Sequence, residues 1–355
     1  TLFLYLSNGI TTIRGMLGHS EHIRLRERAT SGDLLSPRIY TASPSLNGNS
    51  VTTKEEAIKK VTAYQKEGFD FLKIHPGIKR EVFDQVVMTA NEVGIPFAGH
   101  VPVDVGVRHA IESNYAATDH VDGFIEGLVP AEGNVQPEDN GFFGYNFAPL
   151  ADVTKINELV TLSRKHNIWI VPTQSLYERW FAPATADDLL KDPEMKYMPA
   201  STLASWKVRK GQYTTDNPDF NEAQWRQFND IRRQLIKALQ EDGHGILLGS
   251  DAPQLFNVPG FSIHHEIAGM IQAGLTPLQI LQAGTINPAT FFAAEDKFGA
   301  IAVGLSADLV LLNNNPLQDA EHLKNVAGVF VQGRWLSKAM IDSRLTEIAK
   351  ERAKR

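Results

Sequence analysis

Cysteine is absent from this chain of 355 residues, which excludes disulfides, thiolate metal sites and cysteine nucleophiles. Any metal must then be held by nitrogen and oxygen. No apolar run approaches the roughly 20 residues that span a bilayer, so no membrane-spanning segment is expected. Charge of one sign is also lacking: Lys+Arg 35 against Asp+Glu 41 gives a net charge of −6. The charges are scattered, and nothing draws the chain towards nucleic acid or an anionic membrane surface. The sequence holds no GxSxG elbow, no GxxxxGK phosphate loop and no GxGxxG fingerprint. It also lacks an initiator methionine and a signal peptide. The opening TLFLYLSNGITTIRG reads like the interior of a domain, so the expectation is that the first part of the protein lies upstream of Thr1.

What is present is an alternation of strand and helix. A hydrophobic content of 43% at this length supplies the core of one barrel-sized domain with a small appendage. Strand-like runs fall near 9–14, 37–43, 69–75, 95–100, 116–120, 168–174 and 245–250, separated by helical stretches. Thr53 and Glu56 form a capping-box start for a helix running to Gly68. Val82–Val93, Lys155–His166 and Asn221–Asp242 supply further helices, the polar faces of the last reading as solvated surface. The alternation predicts a parallel α/β sheet. A closed (β/α)8 TIM-type barrel needs eight strands, and a count of seven places the first strand upstream.

Two regions depart from the repeat. Residues 176–220 form an insertion rich in aromatic residues, readable as a lid over the active-site face or as an excursion packed on itself. FFGYNFAP at 142–149 is a smaller candidate of the same kind. The expected organisation is a hydrolase barrel over 1–305, β-sandwich appendage strands over 306–338 and a helical tail over 339–355.

The chemistry concentrates at strand ends, where barrel enzymes keep it. Lys73 ends FDFLK, His100 ends IPFAGH, His120 ends YAATDH and Asp251 ends GILLGSD. A lysine in an apolar strand loses its proton more easily, and the neutral amine can take up carbon dioxide to give a bidentate oxygen ligand. Alone, Lys73 also reads as a snorkelling surface residue. Imidazole is a common zinc ligand, although His100 or His120 singly reads as a structural histidine. Their succession with Lys73 favours a metal site. Asp251 can ligate a metal and take the proton of its bound water, or act as a helix N-cap. His75, two residues after Lys73, faces the same side of its strand and is a candidate substrate contact. Thr173, Tyr177 and His264 are the other substrate-binding candidates.

At these residues the chain resembles the amidohydrolase superfamily, in its imidazolonepropionase-like and prolidase-like branch. NGITTIRGM, DFLKI, GHVP, DHVDG and LLGSDAP carry the likeness, with HHEIAGMIQAGLTPLQILQAGTINPATFF, GAIAVGLSADLVLLNNNPL and VFVQGRW beyond them. The resemblance implies a (β/α)8 barrel with a binuclear centre of two zinc ions. Lys73 would be the carboxylated bridge, carrying carbon dioxide as its carbamate. His100 and His120 would ligate the more exposed metal, and Asp251 the buried one while shuttling the proton. It also implies that the C-terminal strands join N-terminal ones in a β-sandwich. The family's His-x-His pair at the end of strand one does not precede Asn8, and His19 and His22 come too late, in keeping with an upstream truncation.

The function so implied is hydrolysis of an amide or cyclic amide C–N bond in a small-molecule substrate by metal-activated hydroxide. Ester or phosphoester hydrolysis on the same centre is the competing enzyme reading, and a metal-depleted binding protein on the same barrel is the third. Exported relatives lean the compartment towards the periplasm or secretion, with the export signal upstream. Homo-oligomerisation stays open.

Overall fold

The computed structural model describes residues 1–131 and 135–354. The chain forms two compact units, one of residues 12–171 and 230–246, the other of residues 1–11, 172–229 and 247–355.

The 12–171 unit carries all seven expected strands: β1 (Thr12–Gly15), β2 (Arg38–Thr41), β3 (Leu72–Ile74), β4 (Phe97–Gly99), β5 (Ala117–Asp119), β6 (Trp169–Val171) and β7 (Gly245–Ile246). Each is shorter than the expected run, and in β2 to β7 the run's last residues leave the ladder to become the loop that follows. β1 and β2 pair in parallel, and β3 to β7 form a five-stranded parallel sheet in sequence order. Single parallel bridges from Ala42 to Phe71 and from Leu46 to Ile74 tie the end of β2 to β3. Sequential parallel neighbours with helical crossovers are the arrangement that right-handed βαβ units build. Among the described residues no ladder joins β7 back to β1, so closure of the expected eight-stranded barrel is not part of this pairing.

β3, β4 and β5 are buried throughout, and their apolar members Leu72, Ile74, Phe97, Ala98 and Ala117 are almost fully excluded from water. The crossover helices cover them. Lys54–Glu67 begins where Thr53 Oγ1 accepts the Glu56 amide at 3.2 Å and ends at Gly68 in the left-handed region, φ 87°. The capping box is displaced by one residue, since the Glu56 carboxylate reaches the amide and hydroxyl of Thr52. Arg80–Val93 ends in the same way at Gly94, φ 73°. Both glycines avoid the Cβ clash that a left-handed cap imposes.

The second unit contains the insertion and the C-terminal strands. The insertion is largely helical: Gln174–Arg179, Ala186–Leu189, a 3-10 turn at Pro193–Tyr197 and Ala200–Tyr213. Leu189, Met195, Tyr197 and Trp206 share a buried cluster with Leu4, Leu255, Phe256, Val258 and Ile348. Lys210, fully buried, donates to the carbonyls of Arg179, Trp180 and Ala182 at 2.8, 2.9 and 2.9 Å. Its ammonium thus satisfies acceptors at the C-terminal end of the Gln174–Arg179 helix, a favourable place for a cation. Burial, and then Arg179, lower its pKa to about 8. The insertion, readable as a lid or as an excursion packed on itself, is thus a packed helical layer with a polar pin, its core shared with residues outside it. β8 (Leu309–Leu312), β9 (Val326–Val331) and β10 (Arg334–Ser337) form a three-stranded antiparallel sheet, followed by the Lys338–Arg352 helix. Arg355, the last residue of the expected tail, lies outside the described residues. No second sheet completing a sandwich is present among those described.

Candidate functional site

In the 12–171 unit, the ends of β3, β4 and β5 bring Lys73, His75, His100 and His120 together. Lys73, buried to 3% exposure, lies opposite Ala98 in the β3–β4 register. The neighbouring Gly99, at φ 133°, is required there: a Cβ on it would meet the Ile74 carbonyl at 2.3 Å and Lys73 Cδ at 3.1 Å. The glycine before His100 is what admits the lysine stem.

Lys73 Nζ donates to Asp119 Oδ2 at 2.8 Å, and Arg14 Nη2 donates to Asp119 Oδ1 at 2.8 Å. Burial alone would raise the Asp119 pKa, but the Lys73 ammonium and the Arg14 guanidinium together hold its carboxylate well below the usual range. A fully buried carboxylate is tolerated because two cations compensate it.

The imidazoles stack beside this triad. The His75 and His100 ring centroids lie 4.9 Å apart, and those of His100 and His120 4.6 Å apart. Burial, with Lys73 adding to it, lowers the His75 pKa to about 4. Burial and Lys73 push His100 well below its ordinary value, and burial and His100 do the same to His120. All three rings are neutral at pH 7, the form that offers a lone pair to a metal. His75 Nδ1 is 2.6 Å from Ser45 Oγ.

Each candidate ligand has a support that sequence reading did not find. Asp122 Oδ2 lies 3.1 Å from His100 Nδ1 and accepts the Val101 amide at 3.1 Å. With a proton on Nδ1, His100 presents Nε2 as its lone-pair nitrogen. A carboxylate behind a histidine is the usual way a ligating ring is oriented. His120 is in the left-handed region, φ 68°, and its backbone is held from both sides. Its amide donates to Val171 O at 2.7 Å, and its carbonyl accepts from Arg232 Nη1 at 2.7 Å. Arg232 is fully buried, so the polar face of its helix is not simply solvated surface. Asp122 had a visible signal, the DHVDG run; Arg232 had none, since an arginine in an amphipathic helix normally faces water.

The remaining predicted residues belong to the other unit. Asp251 is half-buried with φ 55°. Its loop is braced by Asn257 Nδ2, which donates to Ser250 O at 2.8 Å and to Ser175 Oγ at 3.1 Å. Tyr5 donates to Ala252 O at 3.1 Å; burial and the Asp251 charge push its pKa up to about 12. Thr173 is buried and left-handed, φ 47°. Directly after it, Glu266 accepts the amides of Gln174 and Ser175, each at 2.9 Å. Glu266 is fully buried, and burial pushes its pKa up to about 7. Tyr177 is completely buried with its ring 5.6 Å from that of Phe228. His264 Nε2 lies 3.0 Å from Asn8 Oδ1, and burial, with His265 next, lowers its pKa to about 4.

Among the described residues, Asp192, Glu194 and His265 are the one group of His and carboxylate side chains whose ligating atoms all lie within 4.8 Å of one another. Arg179 already serves this group: Nη2 donates to Asp192 at 2.5 Å and Nη1 lies 3.5 Å from His265 Nδ1, while His265 Nε2 is 2.7 Å from Glu194. With Arg179 on Asp192 and beside His265, and His265 on Glu194, the cluster as it stands is an ion-pair group that braces the insertion. The imidazoles beside Lys73 are another place where nitrogen donors gather in the structure.

A family model described as "Amidohydrolase family" matches residues 5–336. The adenine deaminase of Methanothrix thermoacetophila is 31% identical over 114 residues, 32% of this chain and 18% of that protein. That of Clostridium botulinum strain Loch Maree is 26% identical over 133 residues, 37% of this chain and 20% of that protein. These matches span about a fifth of the length of the curated relatives. Among solved structures, a bottromycin amidohydrolase superposes with a TM-score of 0.75 at 22% identity, covering 99% of this chain and 76% of that one. A Xaa-Pro dipeptidase superposes with a TM-score of 0.65 at 20% identity, covering 95% and 77%. At these identities the structural likeness speaks to fold alone, whereas the family model spans nearly the whole sequence. The chain belongs to the amidohydrolase family.

Proposed function

We propose that the protein is a metal-dependent hydrolase of C–N bonds acting on an amide or cyclic amide of a small molecule. The observation that carries the reading is the cluster of neutral imidazoles at the ends of β3, β4 and β5, with His100 and His120 centred 4.6 Å apart beside buried Lys73. In this reading His100 and His120 hold a divalent ion, zinc by preference. Lys73, as its carbamate, would offer oxygen ligands to such metal ions. The ions, when bound, supply Lewis acidity towards the scissile carbonyl and towards water.

The rest of the chemistry falls to the protein. Asp122 keeps the His100 proton on Nδ1, and the Val171 and Arg232 contacts fix the His120 backbone. Asp119 and Arg14 set the charge around Lys73: for the amine to take up carbon dioxide, its proton must leave the ion pair with Asp119. Asp251 is the carboxylate assigned to accept the proton of the attacking water and to return it to the departing nitrogen, as in general acid–base catalysis. Adenine deaminases and a Xaa-Pro dipeptidase among the similar proteins support C–N cleavage and make Xaa-Pro dipeptides and adenine the first substrates to try.

The test is elemental analysis after loading with zinc and bicarbonate, on wild type, Lys73→Ala and His100→Ala, followed by hydrolysis of that substrate panel. Metal bound by wild type and lost in both variants, with hydrolysis lost alongside, supports the reading. Zinc retained in full by both variants sinks the assignment of the site.

A further inference from the structure

The segment Gly141–Tyr145 presents an arrangement that the metal site does not itself require. Phe143 has φ 53° and ψ 45°, and Gly144 φ 81° and ψ 8°, so two successive residues are left-handed. For a bulky residue such as phenylalanine that conformation is costly and marks a place where the surroundings impose it. The Phe143 ring centroid lies 5.6 Å from that of His100 and 5.3 Å from that of His120. Phe142 packs edge-on to Phe143 at 4.8 Å. Both phenylalanines are only partly buried.

The clamp that holds the segment lies beneath it. Glu126, on the short Phe124–Gly127 helix, accepts from Asn140 Nδ2 at 2.7 Å through Oε1. Its Oε2 is sealed from water and has no hydrogen-bond partner among the described residues. Gly144 lies directly on that carboxyl: a Cβ there would come within 2.7 Å of Oε2 and 3.0 Å of Ile125 Cβ. Only a glycine allows the backbone to approach so closely, and the approach turns Phe143 towards the two imidazoles. Burial and the neighbouring Asp122 raise the Glu126 pKa, in keeping with a carboxyl that tolerates a sealed oxygen.

We propose that Phe143 is a specificity-determining wall of the substrate site, selecting substrates that carry an aryl group next to the scissile bond over those carrying a small alkyl group. The inference rests on the hydrolase reading above. A carbonyl within reach of His100 and His120 would bring the substituent on its carbon against a ring standing 5.3 to 5.6 Å from both imidazoles. Aromatic faces at that range prefer an aromatic partner in offset or edge-on packing. The Glu126–Gly144 clamp makes the wall preformed, so that selection does not wait for the segment to close.

The experiment uses two metal-chelating probes that differ only in this substituent, benzohydroxamate and acetohydroxamate. Each is titrated calorimetrically into the zinc-loaded protein, with metal content and Tm recorded for every variant. Wild type should favour the aryl probe by about tenfold, the scale of one well-placed aromatic contact. Phe143→Ala should cut that preference to within about twofold, and Phe143→Leu should retain bulk yet lose most of it, both at unchanged metal content. An undiminished preference in Phe143→Ala, with metal and Tm intact, overturns the wall while leaving the hydrolase reading standing. Should Phe143→Ala unfold, Phe143→Leu decides on the same criterion. Binding of neither probe to zinc-loaded wild type removes the hydrolase reading and the wall with it.

Discussion

Asp119→Asn is the most demanding single test of the electrostatics described here. The carboxylate is buried to 2% exposure and accepts from Lys73 and Arg14 at 2.8 Å each. Replacing it leaves a buried ammonium and a half-buried guanidinium side by side without their shared counter-charge. Removing one partner of a buried ion pair typically costs about 3–5 kcal/mol, about a fifth or more of the roughly 5–15 kcal/mol stability of an ordinary protein. The sign with pH follows from the depressed carboxylate. Its stabilising contribution is present above the ordinary value of 3.8 and is lost as pH falls towards the lower folded value. Wild type should therefore lose stability on acidification below about pH 4, and Asp119→Asn should lack that component.

The assay is urea unfolding at pH 7.5, followed by far-UV circular dichroism, on wild type, Asp119→Asn, Lys73→Met and the double variant. The expected losses are about 3–5 kcal/mol for Asp119→Asn and a double variant less destabilised than the sum of the singles, since each single removes the same pair. If Asp119→Asn falls within about 1 kcal/mol of wild type, or the losses simply add, Lys73 and Asp119 are not an energetically coupled buried pair. The account of how the Lys73 proton is held would then be wrong.

Two further expectations follow from the same kind of reasoning. Asp122→Asn should weaken zinc binding by about 10- to 100-fold by releasing the orientation of His100; competition with a chromogenic chelator measures it, and an unchanged affinity would show that the ring orients itself. Glu266, raised to about 7 from 4.5, is a carboxyl whose folded form holds its proton more tightly than the unfolded one. Its contribution is fully present below pH 4.5 and is lost as pH rises through 7. Over that interval the stability loss is on the order of 3 kcal/mol. Glu266→Gln should flatten that slope in a series of Tm values from pH 5 to 8, and an unaltered slope would assign the titration elsewhere.

The parts legible in the sequence were those with local signatures. All seven strands are visible from sequence, the inner ones because buried parallel strands are continuous apolar runs, and the Lys54–Glu67 helix because Thr53 caps its start. Lys73, His100 and His120 stood out for a related reason: a charged or ring nitrogen at the end of an apolar strand breaks a local pattern. What escaped was set by long-range partnership. The insertion at 176–220 reads from sequence only as a lid or a self-packed excursion, whereas what holds it is Lys210 meeting three carbonyls 28 to 31 residues away and a core shared with Leu4 and Ile348. Nothing in a short window announces either.

The same distinction explains why the supports of the site were harder to read than its ligands. A ligand is chosen for its own chemistry, so its residue type is informative by itself. A support such as Asp122, Arg232 or Glu126 is chosen for the distance at which the chain brings it to another residue. Arg232 donates to His120 O across 112 positions, and Asp119 receives Lys73 across 46. Glycines are the exception that connects the two levels. Gly99 and Gly144 are local in sequence, yet each is required by a close approach of chain distant from it, Lys73 in one case and Glu126 in the other. A glycine beside a candidate ligand or within an aromatic loop is thus a sequence-visible trace of packing that is otherwise invisible. Here the two glycines point to the lysine that charges the site and to the phenylalanine that walls it.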